Sequence, residues 1–129
     1  MSLGGEGCTK ENPLEVTPAG AFQYKAYDTT GALIVQGWFT LNIIDSTHIN
    51  GEWHFARVNR YQETGPQVGN GKLVGGFDQG NLWVGLNPEY IDNNITLHGK
   101  LVGKSYSGTW IWDSFIGITN RGTFTAIKS

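Results

Sequence analysis

Cysteine and charged residues are scarce in this chain. It has a single cysteine in 129 residues, so it can form no disulfide within itself and no cluster of thiolates around zinc or iron. Only 16% of its residues are charged and the formal net charge is -2, which gives little electrostatic attraction to a polyphosphate. We therefore expect no cysteine-based metal centre and no nucleic-acid partner.

Sequence motifs for catalysis and for membrane crossing are missing too. The chain contains no Gly-x-Ser-x-Gly elbow and no His-Glu-x-x-His, and Gly-Asn-Gly-Lys at 69–72 lacks the spacing of a phosphate-binding loop. The carboxylates fall mostly in turns and on outward faces, away from the burial that raises the pKa of a general acid. No apolar run approaches the length of a membrane-spanning helix. This pattern predicts a non-catalytic protein without a cofactor.

What the chain does have is an alternation with a period of two. From Ala21 onward, apolar and polar residues alternate in about eight segments separated by turn residues, and helical periodicity is missing. The pattern predicts an all-β domain over residues 20–129, folded as a single antiparallel up-and-down β-barrel. Residues 1–19 are predicted to be a flexible tail that begins with a vector scar, Met1-Ser2-Leu3.

The predicted inward faces of the strands are rich in aromatic residues and in glycine. Glycine on these faces favours a tightly coiled sheet with room for large rings. An eight-stranded barrel is just wide enough to be filled by its side chains or to hold one small ligand. The sequence leaves both interpretations open, a packed core or a site for a small hydrophobic or aromatic ligand. The rings that would line this space are those of Tyr24, Phe39, Trp53, Phe55, Tyr106, Trp110 and Trp112.

Arg57 continues an inward row of residues just before a long loop, residues 60–70, that has no periodic apolar residue. Loops of this length in compact barrels often cover an opening. A guanidinium at such a mouth can pair with the carboxylate of a ligand. Arg57 is therefore a further candidate ligand-binding residue, although simple solvation explains it as well.

Two tryptophans, Trp38 and Trp83, fall on outward faces that should be polar. Ile34, Val102 and Ile111 interrupt outward faces in the same way. An exposed apolar patch usually marks contact with a partner. The two tryptophans are therefore candidate interface residues, for another protein or for a second copy of this chain.

Histidine offers a weak indication of a metal site. Glu52 and His54 have the spacing at which two side chains reach one metal ion, and His48 shares their outward face. His98 belongs to a strand predicted to lie elsewhere on the wall. Two ligands are too few, so we expect no metal site and read these residues as part of a polar outer face.

The end of the chain carries a resemblance to known barrels. Tyr-Ser-Gly-Thr-Trp at 106–110 and Arg-Gly-Thr-Phe-Thr-Ala at 121–126 resemble the last hairpin of small bacterial lipocalin-like and avidin-like proteins. The spacing of the strands is similar over most of the chain. The resemblance implies a calycin-type barrel, with the architecture of lipocalins and streptavidin.

Cys8 lies in a polar segment ahead of the first strand and follows a small residue, Gly7. This context resembles the tether of a mature bacterial lipoprotein, whose cysteine carries the lipid. If Cys8 is lipidated, the protein is anchored in the bacterial cell envelope and meets a membrane only through that anchor. The alternative is a cytoplasmic protein with an incidental cysteine.

Three functions are compatible with these features. The first is a non-catalytic barrel that binds a small apolar ligand in its interior. The second is a protein-binding module with a packed interior, such as a hydrolase inhibitor or an assembly component, that makes contact through Trp38 and Trp83. The third is a barrel enzyme, which requires an inward carboxylate or histidine; a one-residue slip of the third strand would supply His54.

Overall fold

The structure, a computed structural model, describes residues 17–90 and 92–129, which are all-β with no helix. Each strand pairs antiparallel with the next, and the last strand pairs with the first, so the sheet closes into an up-and-down barrel. The predicted fold class and strand number are confirmed. Within this part of the chain, no helix is long and apolar enough to span a membrane. The strands are β1 (Gly20–Tyr27), β2 (Leu33–Ile43), β3 (His48–Arg57), β4 (Gly69–Asp78), β5 (Asn81–Gly85), β6 (Asn93–Val102), β7 (Ser105–Ser114) and β8 (Gly117–Lys128).

The two ends of the barrel are distinct. The chain enters at what we call the entry end, which also carries the β2–β3, β4–β5 and β6–β7 turns and the C-terminus. The opposite end, called the far end, carries the β1–β2 turn, the long β3–β4 loop, the β5–β6 connection and the β7–β8 turn. This division follows from the strict up-and-down order of the strands.

The alternation of residues sets which side chains face the lumen. In β1, Phe22, Tyr24 and Ala26 are buried while their neighbours in the chain are exposed. In β3 the same alternation buries Trp53 and Phe55. Because successive side chains of a strand point to opposite faces, one apolar residue in two is enough to fill the interior.

Glycines on the inward faces allow neighbouring strands to approach closely. Gly99 of β6 pairs with Gly108 of β7. A Cβ atom on Gly108 would collide with the carbonyl oxygen of His98, and one on Gly99 with that of Ser107. A side chain at either position would therefore meet the backbone of the adjacent strand first. The close approach of the two strands, more than the need for room for a ring in the lumen, requires glycine here. Glycine lets the sheet coil tightly enough to close.

Two predicted orientations in β2 were wrong. Ile34, predicted to face outward, is buried, because a β-bulge lies opposite the end of β1: Val35 pairs with Ala26, and the next pair joins Leu33 to Tyr27. Ile34 is the extra residue of that bulge, and a bulge changes the direction of the side chains beside it. Ile43, which alternation places on the same inward face as Phe39, is exposed because it ends β2 at the rim of the barrel.

Candidate functional site

Aromatic rings fill the lumen by packing against one another. The ring of Tyr24 stacks on that of Phe55 with 4.1 Å between centroids, and Phe22 stacks on Phe39 at 5.1 Å. The edge of Tyr106 packs against Phe124 at 4.8 Å. Aromatic pairs attract each other at centroid distances of about 4.5–7 Å, a range that holds the last two pairs, and the Tyr24–Phe55 pair is closer still. The predicted aromatic interior is therefore a continuous cluster of buried rings.

The polar atoms of these rings are used within the protein. The Tyr106 hydroxyl donates a hydrogen bond to the carbonyl oxygen of Leu82 at 2.9 Å, and the Trp110 indole Nε1 donates to that of Tyr27, also at 2.9 Å. Burial raises the pKa of Tyr106, and burial together with the nearby Tyr106 raises the pKa of Tyr24. Both phenols are therefore neutral hydrogen-bond donors at physiological pH.

Trp53 seals a gap in the barrel wall. The short strand β5 pairs with β4 only over residues 74–78 of β4, so the first half of β4 lacks that neighbour. The Trp53 indole lies beside Gly71 of β4, and its Nε1 donates a hydrogen bond to the carbonyl oxygen of Leu86 at 2.8 Å. Outside the indole, a depression of about 240 Å³ extends to Tyr90. Trp53 thus connects the two sides of the gap, which explains why a tryptophan occupies this position.

The long β3–β4 loop enters the far end of the barrel. Gln67 is buried, and its side-chain oxygen accepts a hydrogen bond from the Tyr24 hydroxyl at 2.8 Å. The Gln67 amide nitrogen donates in turn to the carbonyl oxygen of Thr64, which is also buried. The loop therefore supplies a polar cap over the lumen rings, as the sequence pattern predicts for a covering loop.

Contacts from the β5–β6 connection and from β8 hold this cap in place. The Asn87 side chain, which alternation along the chain places on the outward face with Trp83, is instead buried and donates to the carbonyl oxygen of Pro66 at 3.1 Å. The Asn120 side chain donates to the carbonyl oxygen of Glu63 at 2.9 Å. These partners come from the β5–β6 connection and from β8, so the loop spans the mouth of the barrel.

Two of the predicted ligand-binding residues lie outside the buried cluster. Trp112, at the far end of β7, is half-buried; Gly65 of the loop rests against its indole, whose Nε1 donates to the Asn93 side chain at 2.7 Å. Arg57 ends β3 and is exposed, with no side-chain hydrogen bond or ion pair to the described residues. The structure therefore does not bring all eight predicted residues to one site.

The two outward tryptophans differ in what covers them. Trp38 is 38% exposed, and its ring stacks on that of His54 with centroids 4.3 Å apart. His54 in turn lies 3.7 Å from the Glu52 carboxylate. One face of Trp38 is therefore occupied by a neighbouring side chain, and His54 faces outward as the sequence pattern predicts.

Trp83 is 44% exposed, and its indole lies along the wall. Its Nε1 is 2.6 Å from the point that a Cβ atom would occupy on Gly76, and its Cζ3 is 3.7 Å from the corresponding point on Gly85. The indole therefore lies over Gly76 and extends towards Gly85, where the missing side chains leave room for it. The indole N–H has no hydrogen-bond partner among the described residues.

A groove of about 650 Å³ surrounds Trp83 on the outer wall. His48 of β3, Gly76 of β4, Trp83 of β5 and His98 of β6 form one row across four strands, since each is paired with the next. The volume lies within the range of about 300–1,000 Å³ found for small-molecule sites. The residues that line the groove are Thr47, His48, Gly76, Phe77, Asp78, Asn81, Leu82, Trp83, His98, Gly99 and Lys100.

His48 is held at one side of this groove. Its Nδ1 lies 2.8 Å from the Asp45 carboxylate, which leaves only Nε2 for another partner. The backbone N–H of Thr47 and the His48 side chain hold the pKa of Asp45 below its ordinary value. Among the described residues, no group of three or more His, Cys, Asp or Glu side chains could hold a metal ion.

The sequence pattern identified Trp83 as an outward residue but missed the groove around it. The signal was Gly76, which alternation places on the outward face of β4 beside Trp83. A glycine next to an outward tryptophan indicates that the indole ring can lie flat on the sheet. A larger side chain at the glycine position would keep the ring away from the surface of the sheet. The predicted lipidation residue, Cys8, lies outside the described residues.

Comparisons of this chain with protein-family models, with curated proteins and with solved structures find no match.

Proposed function

We propose that this protein is a non-catalytic binding module that recognises its ligand or partner through the outer wall of the barrel, at the groove around Trp83. The lumen, on this proposal, is the hydrophobic core. The observation that carries it is the filled interior: Tyr24, Tyr106 and Trp110 are buried, pack in one aromatic cluster and donate their hydrogen bonds to the protein itself.

The closed far end also supports an outer-wall site. A ligand that entered the lumen there would have to displace Gln67 and break its hydrogen bond with Tyr24. It would also have to separate rings that are 4.1 Å apart at Tyr24 and Phe55. The first loss costs about 1–3 kcal/mol, because it leaves a buried polar group without a partner, and the second removes the attraction between two stacked rings. On this proposal, the protein shares the architecture of lipocalin-like and avidin-like barrels but does not bind a ligand in its interior.

The non-catalytic part of the proposal rests on the polar residues of the interior. The buried polar residues in the described part of the chain are Thr64, Gln67 and Asn87. None of them is a general acid or base, and the buried phenols of Tyr24 and Tyr106 already donate to Gln67 and Leu82. The register that would have turned His54 inward is not the one observed, because His54 stacks on Trp38 outside the barrel.

We also propose that Cys8 carries a lipid and tethers the barrel to a bacterial envelope. The described chain begins at Thr17 and β1 begins at Gly20, so the segment that carries Cys8 leads into the entry end of the barrel. Mass spectrometry of the protein purified from its native host tests this proposal. A lipid-sized mass increase on Cys8 is the expected result, and an unmodified Cys8 would contradict it.

The five tryptophans allow the site of binding to be located directly. Fluorotryptophan incorporated throughout the chain gives one fluorine NMR signal for each tryptophan, and five single Trp→Phe variants assign them. The protein is then titrated with fatty acids, aromatic metabolites and neutral sugars. We expect a saturable shift of the Trp83 signal. Shifts confined to Trp53 and Trp110 would place the ligand in the lumen and overturn the proposal.

A further inference from the structure

We propose that the Trp83 groove binds a neutral sugar ring, stacked on the exposed face of the Trp83 indole. This inference rests on the proposed function, because it names the class of ligand for the same groove. Its first support is the fixed position of the ring. The indole already lies over Gly76 and extends towards Gly85 before any ligand arrives, so little conformational freedom is lost on binding.

The chemistry of an aromatic face suits a sugar. The face of an indole carries partial negative charge and attracts weakly positive C–H groups. A pyranose ring has several C–H groups on one face and hydroxyl groups around its edge. It can therefore lay its C–H face on the Trp83 ring while its hydroxyls point outward to the rim of the groove.

The rim of the groove offers hydrogen-bonding groups on three sides of Trp83. His48 lies on the β3 side, Asp78 and Asn81 lie at the β4–β5 turn, and His98 lies on β6. The side chains of Asp78, Asn81 and His98 make no hydrogen bond to the described residues. Hydroxyl groups both donate and accept, so they can pair with carboxylate, amide and imidazole atoms alike. A nucleobase, whose polar atoms lie along only part of its edge, matches this arrangement less well.

The charge of the groove favours a neutral ligand. Asp78 and Lys100 carry the formal charges among the lining side chains, and these charges cancel when the histidines are neutral. An anionic ligand would meet the Asp78 carboxylate as well as the Lys100 ammonium group. A neutral ligand gains hydrogen bonds from both without burying a net charge.

Trp38 gives a matched control on the same barrel. It is also an outward tryptophan of similar exposure, but His54 already occupies one of its faces. Trp38→Ala and Trp83→Ala therefore remove the same group from the outer wall, and only the second removes the proposed platform. Gly76→Ala is a subtler variant, because the new Cβ atom would push the indole off the wall while leaving it in the protein.

The experiment is a fluorine NMR titration of the fluorotryptophan-labelled protein with neutral trisaccharides of glucose, galactose, mannose and N-acetylglucosamine. Each is added to about 10 mM, which nearly saturates a site with a dissociation constant of about 1 mM. We expect at least one sugar to shift the Trp83 signal saturably. Trp38→Ala should keep the affinity of the wild type. Affinity in Trp83→Ala, followed through amide signals of the groove, should fall by about tenfold or more, and Gly76→Ala should also weaken binding.

The outcomes separate this inference from the proposed function. If no sugar shifts the Trp83 signal but a fatty acid, adenosine, a phosphorylated compound or a protein does, the sugar is wrong and the outer-wall site stands. If the Trp83 signal moves with protein concentration alone, the groove is a contact between copies and the inference is overturned. Unchanged sugar affinity in Trp83→Ala also overturns it. Unmoved Trp53 and Trp110 signals verify that each variant retains its folded core.

Discussion

Inside the barrel, the side chains that carry a polar atom on an aromatic ring already have partners. Tyr24, Trp53, Tyr106 and Trp110 each donate to an acceptor in the protein at 2.8 or 2.9 Å. These bonds let large amphipathic rings serve as core residues, because a buried donor without a partner would be destabilising. The same residue types that suggest a ligand site in the sequence thus act as a core in the fold.

The hydrogen bond between Tyr24 and Gln67 offers a test at a single residue. Tyr24→Phe removes the donor and leaves the buried Gln67 oxygen without a partner, which should cost about 1–3 kcal/mol of the free energy of unfolding. Urea denaturation measures this loss. Tyr90→Phe is the control, since Tyr90 is 61% exposed and should leave stability unchanged. Equal stability of the Tyr24→Phe variant and the wild type would contradict this role for the bond.

Alkaline pH tests the same two buried phenols. Burial raises the pKa of Tyr24 and Tyr106 in the folded protein, whereas in the unfolded chain a tyrosine ionises near pH 10. The stability that these groups contribute is fully present below the unfolded-state pKa and is lost as pH rises towards the folded-state pKa. In an alkaline titration, we expect the ultraviolet absorbance of the last two tyrosines to ionise to rise only as the β-sheet circular dichroism signal is lost. Complete ionisation of all five tyrosines in a still-folded barrel would refute this prediction.

At the scale of the strands, closure depends on glycines that bring backbones together. The β6–β7 pair is an example, because Gly99 and Gly108 lie opposite each other and each would place a Cβ atom on the neighbouring backbone. Backbone cannot move aside as a flexible side chain can. Substitution at these positions therefore acts on the coiling of the sheet as a whole.

Gly108→Ala should lower the free energy of unfolding by about 1–3 kcal/mol, the usual cost of overpacking. Gly85→Ala is a matched control in β5, because its new Cβ atom would meet its neighbours at an ordinary 3.7 Å or more. Thermal and urea unfolding of both variants measure the difference. A Gly108→Ala protein as stable as the Gly85→Ala protein would show that the strands can separate at no cost.

At the scale of the whole molecule, the far end of the barrel exposes two large apolar side chains. The far end is capped by the β3–β4 loop, yet the β7–β8 turn beside it carries Phe115 and Ile116, which are 82% and 76% exposed. These side chains gain little from folding, because they are nearly as exposed as in an unfolded chain. They are not part of the core that closes the barrel.

We expect the double variant Phe115→Ser, Ile116→Ser to keep the stability of the wild type to within about 0.5 kcal/mol. Its melting temperature, measured by circular dichroism, should stay essentially the same. Phe124→Ser in the neighbouring strand, where the ring is buried against Tyr106, should by contrast be strongly destabilising. A large drop in stability of the double variant would mean that the turn packs against another part of the chain.

Most of the fold follows from local pattern. Alternation identified eight strands, placed Phe22, Tyr24, Trp53 and Trp110 inward, and left Trp83 outward, because side-chain direction in a strand has a period of two. The pattern failed where that period is interrupted. Ile34 sits at a β-bulge, and its orientation depends on pairing with β1, which is not encoded in its own neighbours.

What the sequence by itself determined is the barrel and its aromatic lining; what only the tertiary structure decided is how closely the rings of that lining pack. The stacking of Tyr24 on Phe55 and the hydrogen bond from Tyr24 to Gln67 join residues far apart in the chain, and the placement of Trp83 over Gly76 joins two adjacent strands. Such contacts depend on how the sheet coils and on how a long loop returns to it. An alternation with a period of two indicates on which face of the sheet each side chain lies. It does not indicate how much space remains between opposite walls of the barrel.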